Sequence, residues 1–302
     1  MSELFAEGET GASDPQVPMI RASFIGNVLR RFRRNHQAML GLAIIAGLIA
    51  AALLADLLAP FDPVFAQDYE AILKDPGGKH LLGTDDLGRD TFSRLVYGAR
   101  LTMLAAVIPV AIALVVGVPI GLFAGYVGGA LDHWVIMRLV DALQAFPSLI
   151  LALAMAAVLG GGFTNAMIAI GIGFLPAFIR ITRAQTLAVK NLEYVQAARS
   201  IGATDKRIAL FHIFPNITAT LLVQTTLAMA TAIIAEAGLS YIGLGASPEQ
   251  PSWGSMLRNA QSYLNTQPWL VVWPGLAISM VVLGFNLLGD GLRQALDPKA
   301  NK

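Results

Sequence analysis

The chain has 302 residues, of which 55% are hydrophobic and only 14% are charged. A soluble domain carries roughly 25% charged residues, so this composition predicts a membrane protein. The net charge of +1 and the lack of interleaved basic and aromatic residues argue against nucleic-acid binding, and the absence of cysteine excludes disulfides and cysteine-ligated metal or haem sites.

The N-terminal segment is polar and acidic over its first twenty residues, with Pro15 and Pro18. A cleavable signal peptide has a basic start followed by an apolar run, and this segment has neither. We therefore predict that the first twenty residues are unstructured and are not removed. The first apolar span is then expected to act as its own membrane signal.

Six apolar stretches can cross the hydrocarbon core, which requires about 20 residues of helix. The third contains Asp141 and Pro147, and the fourth is short and contains Pro176. Proline is tolerated in such spans where neighbouring helices satisfy the freed backbone groups. The sequence therefore predicts an all-α membrane protein with six transmembrane helices, at residues 39–58, 101–126, 135–159, 166–181, 217–239 and 269–288.

Lysine and arginine indicate the orientation, because they are enriched in cytoplasmic loops. With six spans, 15 of the 21 Lys and Arg residues fall on the side of the N-terminus, so both termini are expected in the cytoplasm. The first outer loop opposes this trend with five basic residues. The predicted organisation is a cytoplasmic tail at 1–37, a first transmembrane helix at 38–58, an outer loop at 59–100, a five-helix core at 101–293 with a cytoplasmic loop at 190–215 and an outer loop at 239–268, and a cytoplasmic tail at 294–302.

The cytoplasmic loop contains an unusual segment of small and charged residues, EYVQAARSIGATDKRIALFHIFPN. LEYVQAARSI predicts a short helix with a low face at Ala197 and Ala198, and Gly202 is expected to stop it. Thr204 is expected to cap a second short helix, which Pro215 interrupts just before the fifth span. Such a unit could rest on anionic lipid as a connector or dock a cytoplasmic partner. As a docking unit it would offer the apolar contacts Tyr194, Ile201 and Phe211 and the charges Arg199, Lys206 and Arg207.

Glycines recur every fourth residue in the second span, within GVPIGLFAGYVGG. Residues four apart share one face of a helix, and overlapping GxxxG patterns let two helices approach closely. We predict helix packing there, within the chain rather than against a partner subunit. The packing glycines are Gly117, Gly121, Gly125 and Gly129.

Other polar features are interpreted as structural. Asp141 follows Arg138 by three residues, which favours a helical ion pair over a proton relay. GTDDLGRD lacks the spacing of a calcium loop and is interpreted as a structured turn before the second span. No metal site is expected from the four histidines, which are His36, His80, His133 and His212.

Several ordered blocks resemble one family. The string from Gln196 to Pro215 resembles the EAA loop of ABC importer permeases, whose pattern is Glu-Ala-Ala, three residues, Gly, nine residues, Ile, one residue, Leu-Pro. The spacing matches throughout, with Gln196, His212 and Phe214 at the Glu, Ile and Leu positions. The blocks RRFRRNHQAMLGL with LLAPFDP, HLLGTDDLGRDTFSRLVYGAR, GLFAGYVGG, MRLVDALQAFPSL, PSWGSML and NLLGDGLRQALDPK resemble the dipeptide/oligopeptide branch of that family.

This resemblance implies the type I ABC importer permease fold in a bacterial inner membrane, with periplasmic outer loops. It implies that the EAA loop is a coupling helix seated in a groove of a cytoplasmic ATPase. The expected partners are a second permease subunit forming a heterodimer, two ATPase subunits that bind ATP and Mg²⁺, and a periplasmic solute-binding protein. The chain itself lacks a GxxxxGK[ST] phosphate loop and is expected to be non-catalytic and to bind no cofactor. The residues implied for ATPase docking are Tyr194, Gln196, Ala197, Ala198, Arg199, Gly202, Ala203 and Pro215.

The expected activity is ATP-driven import of short peptides by alternating access. The same transporter type could instead carry a nickel complex, glutathione, or an opine-like or sugar-like compound, and the sequence alone assigns no substrate-binding residues. An ion-coupled secondary transporter is disfavoured because no internal repeat is found. An intramembrane hydrolase is disfavoured because GLSYIG, at 238–243, has its second glycine one position too late for GxSxG.

Overall fold

The computed structural model describes residues 23–296, so the predictions for the first twenty residues and for residues 297–302 lie outside the described part of the chain. Within that part the chain is helical, and its β-structure is limited to isolated bridges in the loop before the second span. Short 3-10 turns occur at Tyr69–Ala71 and Gln261–Tyr263. The helices are α1 (Ser23–Arg34), α2 (His36–Leu53), α3 (Ala55–Leu58), α4 (Thr91–Val127), α5 (Leu131–Gln144), α6 (Ser148–Leu159), α7 (Phe163–Lys190), α8 (Glu193–Ser200), α9 (Asp205–Tyr241), α10 (Trp253–Ala260) and α11 (Trp269–Leu296).

Five of the described helices, α2, α4, α7, α9 and α11, are long and apolar enough to cross a membrane. The pair α5 and α6 passes the same test together and makes a sixth candidate span. The six predicted spans are thus found in the predicted order.

The third span is not the single straight helix that the sequence predicted at 135–159. Its two halves, α5 and α6, meet at an angle of 92° across a break of three residues that ends at Pro147. Proline has no N–H to donate and disfavours a helical residue before it, so α5 ends at Gln144 and a new helix starts at Ser148. The prediction of one continuous helix there is wrong.

Several helices extend beyond their predicted bounds. The helix of the second span begins at Thr91, ten residues before the predicted start at 101. Arg94 lowers the hydropathy of this first part of the helix, but its side chain is buried and paired. Its guanidinium donates to the main-chain oxygens of Pro63 (2.8 Å) and Pro248 (3.2 Å). The outer loop predicted at 59–100 therefore ends at Asp90, and Arg94 ties it to the loop that precedes α10.

The start of the fifth span also differs from the prediction. Pro215 does not interrupt the second short helix, because α9 is continuous from Asp205 to Tyr241. A wider π-helical segment at Ile208–Ile213 precedes the proline. The main-chain oxygen of His212 accepts hydrogen bonds from Asn216 Nδ2 (2.7 Å) and from the hydroxyl of Tyr194 (3.2 Å). Two side chains thereby bond to a carbonyl in the turn before the proline.

Both ends of the described chain lie at the same end of the bundle. The tail predicted at 1–37 contains α1, which packs against the last helix, α11. Asn35 caps α2, since its Oδ1 accepts from Gln37 N (2.9 Å), and its Nδ2 donates to Gln294 Oε1 (2.8 Å). The helix α8, which connects α7 to α9, lies at this end of the bundle. We therefore call this end of the bundle the α8 end. The opposite end, with residues 59–90 and α10, is called the loop end.

Candidate functional site

The helix α8 has one buried and one exposed face. Val195 and Ala198 are buried, and their spacing of three residues places them on the same side of the helix. Val195 belongs to a core cluster that includes Ile208 of α9 and Val189 of α7. The residues between and beside these two, including Ala197, are exposed. The helix is thus seated on the bundle by two small side chains and presents its other face outward.

The turn after α8 has the hydrogen bonds of a Schellman motif. Gly202 has φ +86°, its N–H donates to Arg199 O (3.0 Å), and Ala203 N donates to Ala198 O (3.1 Å). A Cβ at Gly202 would have no neighbour within 4 Å, so the glycine is required by backbone conformation rather than by space. Thr204 then caps α9, because its Oγ1 accepts from the backbone N–H three residues later (3.4 Å). The sequence predicted this helix, sharp turn and second helix.

Large apolar side chains are exposed around this turn. Ile201 is 87% exposed and Phe211 is 72% exposed, with Tyr194 at the same surface of the chain. Partial burial raises the pKa of the Tyr194 phenol, and its hydroxyl donates to His212 O (3.2 Å). Exposed apolar groups of this kind are typical of a surface that binds another protein or rests on a membrane.

The predicted docking residues divide into two groups, one that faces outward and one that contacts the rest of the chain. The outward residues are exposed, so another protein could contact them directly. They are Tyr194, Gln196, Ala197, Gly202 and Pro215.

The second group is engaged with the chain itself. Ala198 is buried and Ala203 is half-buried against the core. Arg199 is exposed, but its Nη2 donates to the hydroxyl of Tyr126 (3.1 Å). Gln196 has an internal contact as well, although it is exposed. Its Nε2 donates to Asn191 O (3.2 Å), a bond that the family's glutamate cannot make.

The glycine face of α4 lies against α7. A Cβ on Gly117 would lie 3.0 Å from Phe178 Cβ, one on Gly121 would lie 2.5 Å from Ile179 O, and one on Gly125 would lie 2.7 Å from Thr186 Cβ. These three glycines therefore allow close packing within the chain. Gly129 is different, because α4 ends at Val127 and nothing lies within 4 Å of a Cβ placed there. The expectation of a fourth packing glycine is wrong within this chain.

Two ion pairs join α5 to α7. Asp141 does not pair with Arg138, as the sequence predicted, but with Arg180 (2.7 Å). The Arg138 guanidinium instead lies 5.4 Å from the centre of the Trp134 ring. Asp141 thus pairs across to α7 rather than along its own helix, so the prediction of a local pair is wrong.

The second pair, Asp132 with Arg183, is bidentate at 2.7 and 2.6 Å, and Asp132 is buried. Together with the pair made by Arg180, it fixes the first half of the bent span to α7.

A cavity of about 530 Å³ opens at the bend between α5 and α6. Its walls come from α5, α6, α7 and α9, and none of the residues that line it is charged. Amide and hydroxyl groups alternate there with aromatic and aliphatic side chains. Its polar residues are Gln144, Ser148, Gln224 and Thr231, and its aromatic residues are Phe146, Phe174 and Phe178. No sequence pattern predicted this site, although two glutamines inside or beside apolar spans, Gln144 and Gln224, are a signal that could have indicated it.

Up to six spans, a cavity between them and an exposed helix–turn–helix at one end are features of a multi-pass membrane transport protein. The chain belongs to the family of binding-protein-dependent transport system inner membrane components, whose model matches residues 117–302. Residues 23–76 match a second model, the N-terminal TM domain of oligopeptide transport permease C.

Among its relatives is the glutathione transport system permease protein GsiD of Pectobacterium atrosepticum, which is 43% identical over 270 residues, 89% of each chain. The proteins of the same name from Escherichia coli and Shigella boydii are 46% identical over the same share of each chain. A solved structure of the MetNI methionine ABC transporter in inward-facing conformations has a similar fold, with a TM-score of 0.56 and 18% identity over 68% of this chain and 97% of that chain.

These findings confirm that the chain is a non-catalytic permease subunit of an ABC importer, in the inner membrane, with the type I importer fold. Membership in a binding-protein-dependent family implies an ATPase and a periplasmic binding protein as partners. The match of residues 23–76 to the N-terminal domain of an oligopeptide permease also supports the dipeptide/oligopeptide branch.

Proposed function

We propose that this chain is one of two permease subunits, forming a heterodimer, of an importer for short peptides, and that α8 is its coupling helix. The observation that carries the proposal is the exposed face of α8, held in place by the Schellman turn at Gly202. In this arrangement the α8 end faces the cytoplasm. The excess of Lys and Arg on that side supports the orientation.

The docking surface is apolar at its centre and basic at its edge. Ile201, Phe211 and the ring of Tyr194 supply the apolar contact, and Lys206 and Arg207 are exposed next to the turn. The matching groove on the two ATPase subunits, which bind ATP and Mg²⁺, would be apolar with an acidic rim.

The substrate path is proposed to pass through the cavity at the bend of α5 and α6. Its uncharged lining can hydrogen-bond to peptide groups through Gln144, Gln224 and Thr231 without selecting for one charge. A free peptide is zwitterionic, and its side chains vary in charge, so an uncharged path suits a range of sequences. Closure of the ATPases on ATP would press on α8 and rock the permease between inward-facing and outward-facing states.

Glutathione is a second candidate substrate. Three relatives that are 43–46% identical carry a glutathione transport name. Glutathione is itself a tripeptide with two carboxylates, and the cavity has the hydrogen-bonding groups to accept it.

The test is ATP-driven uptake by the reconstituted complex, containing this chain, its partner permease and both ATPases, with the binding protein on the outer face. Labelled dipeptide, oligopeptide and glutathione are offered separately. ATP hydrolysis without uptake of either peptide, but with uptake of glutathione, would replace the first substrate with the second. Hydrolysis without uptake of any of the three would leave the permease role and reject both substrates.

The Gly202→Leu variant tests α8 as the coupling helix. Leucine is strained at φ +86°, so this variant should assemble poorly with the ATPase or hydrolyse ATP without transport. Gly202→Asn should retain more transport, because asparagine tolerates positive φ. Gly47→Leu is the control, since a Cβ there also meets nothing within 4 Å but the residue has ordinary helical geometry. A chain that never binds an ATPase, with Gly202→Leu equal to the wild type, would make α8 a membrane-surface connector.

A further inference from the structure

Tyr126 lies one residue before the end of α4 and is 9% exposed. Its ring belongs to the core cluster that also contains Val189, Val195 and Ile208. These three residues come from the end of α7, from α8 and from the start of α9. Tyr126 is therefore the point where the second span meets the unit that we propose to dock the ATPase.

Polar and cationic contacts converge on the same residue. The Tyr126 hydroxyl donates to Asp205 Oδ1 (2.5 Å) and accepts from Arg199 Nη2 (3.1 Å). Lys190 Nζ donates to the main-chain oxygen of Tyr126. The Lys190 ammonium and the Arg199 guanidinium also lie 5.4 and 5.8 Å from the ring centre. We call Tyr126, Lys190, Arg199 and Asp205 the Tyr126 hub.

The Tyr126 hydroxyl joins charged side chains of the two helices that flank the Gly202 turn, which are also linked by the Tyr194 hydroxyl bond to His212 O. Arg199 is in the last turn of α8 and Asp205 is in the first turn of α9. No ion pair within 4 Å joins these two side chains directly in the part of the chain that the structure describes. The positive charge of Arg199 lies at the C-terminal end of α8, and the negative charge of Asp205 lies at the N-terminal end of α9. Both positions are favoured by the helix dipole.

On the side of the bundle, the Tyr126 hub is attached to the closely packed helices α4 and α7. Gly121 and Gly125 bring the last turns of α4 into contact with the main chain of α7, at Ile179 O and Arg183 O. Interior packing of this kind resists small displacements and passes them on. A movement of α8 that pulls on the Tyr126 hydroxyl would therefore move α4 and α7 together rather than bend α4 alone.

We infer that Tyr126 is a positioning residue that transmits the displacement of α8 to the second span and to the start of α9. This inference rests on the proposed function, because it requires that α8 docks the ATPase. It assigns a role to a residue outside the EAA-like segment. Tyr126 lies 73 positions before Arg199 and 79 before Asp205, so no local sequence pattern indicates the contact.

The test uses the complete reconstituted transporter and the Tyr126→Phe variant. Phenylalanine keeps the buried ring and its contacts with the cations but removes both hydrogen bonds of the hydroxyl. We expect ATP hydrolysis to continue while transport falls, so that the ATP hydrolysed per molecule transported rises about fivefold or more. The thermal midpoint should stay close to that of the wild type, which a purely structural role for the hydroxyl would not allow.

A matched control exists at the other end of the same helix. The Tyr97 hydroxyl donates to Asp56 Oδ1 (2.6 Å), and Arg100 pairs with the same carboxylate. Tyr97→Phe removes a tyrosine–aspartate hydrogen bond without touching α8, so its ratio of hydrolysis to transport should match the wild type. Asp205→Asn should have an intermediate ratio, because its amide oxygen can still accept from Tyr126.

The outcomes separate this inference from the proposed function. If the wild-type complex couples hydrolysis to transport and Tyr126→Phe has the same ratio, the hub is not a transmission point, although α8 keeps its docking role. A parallel fall in hydrolysis, transport and thermal midpoint would also overturn the inference, because it would show a structural role only. If the wild-type chain does not bind an ATPase at all, the proposed function is wrong, and the inference about Tyr126, which rests on it, is overturned as well.

Discussion

At each end of α4, a tyrosine of this helix meets an arginine and an aspartate, and the two groups of three are connected differently. At the loop end, Arg100 binds Asp56 directly with both terminal nitrogens, at 3.1 and 2.9 Å, and Tyr97 adds a third hydrogen bond. At the α8 end, the Tyr126 hydroxyl stands between an arginine of α8 and an aspartate of α9. The phenol is thus an addition to an existing ion pair at one end and the connecting group at the other.

The two groups of three residues also differ in their exposure to solvent. The Asp56 side chain is 71% exposed, and its hydrogen bonds from Arg100 and Tyr97 lower the pKa of its carboxyl. Exposed pairs of this kind contribute little to stability, because water and salt screen them. Tyr126 is buried among the ends of three helices. The same three residue types therefore fasten a loop at one end and join a docking unit to the bundle at the other.

The largest expected effect comes from breaking the packing that supports the α8 end of α4. In Gly121→Leu, the new Cβ would lie 2.5 Å from Ile179 O, so α4 and α7 must separate. Overpacking against main-chain atoms should cost about 3 kcal/mol or more. We expect little folded protein, measured as the monodisperse fraction in detergent and as the thermal midpoint. Gly47→Leu should behave as the wild type, and equal yields of the two variants would contradict the close packing of α4 on α7.

This glycine face shows how far the sequence could predict the fold. Spacing alone located Gly117, Gly121 and Gly125, because residues four apart share a helix face. It failed at Gly129, because the helix ends before it, at a glycine with φ +66°. Hydropathy likewise missed the first ten residues of α4, since the pairing of Arg94 depends on loops far away in the chain.

The parts of the candidate site that depend on residues close together in the sequence were predictable. Gly202 and Thr204 act within a few residues, so their turn and cap follow from the sequence. The Tyr126 hub joins residues 64 to 79 positions apart, and no local pattern specifies such contacts. The cavity also depends on the 92° bend between α5 and α6, which a proline permits but does not by itself direct.

A smaller effect separates the two ion pairs that hold α5 to α7 near the α8 end. Arg183→Gln leaves the carboxylate of Asp132, whose side chain is 6% exposed, without its charged partner. Removing one partner of a fully buried pair costs about 3–5 kcal/mol, and we expect about 2 kcal/mol here because Arg183 is 26% exposed. The matched variant Arg180→Gln breaks a pair that is half exposed on both sides, and should cost about 0–1 kcal/mol. Equal thermal midpoints for the two variants would show that burial does not distinguish these pairs.

The smallest effect concerns the loop end, where two neighbouring aspartates should respond in opposite directions. Burial and the adjacent Asp85 raise the pKa of the Asp86 carboxyl, and its Oδ1 has no hydrogen-bond partner among the described residues. A raised pKa means that the folded state prefers the protonated acid, so stability is lost as pH rises through the folded pKa. Asp86→Asn should therefore raise the thermal midpoint at pH 7 by about 1–2 °C.

The gain from Asp86→Asn should shrink as the pH is lowered towards the raised pKa of Asp86, because the wild-type carboxyl is then increasingly protonated. Asp85→Asn is the matched control: Asp85 Oδ2 lies 2.7 Å from Arg89 Nε and 3.7 Å from Arg94 Nε, so its loss should lower the midpoint at pH 7. If both variants lower the midpoint at pH 7, the Asp86 carboxylate stabilises the loop end. The two ends of α4 would then both depend on ionised aspartates, and the contrast between them would lie in the tyrosines alone.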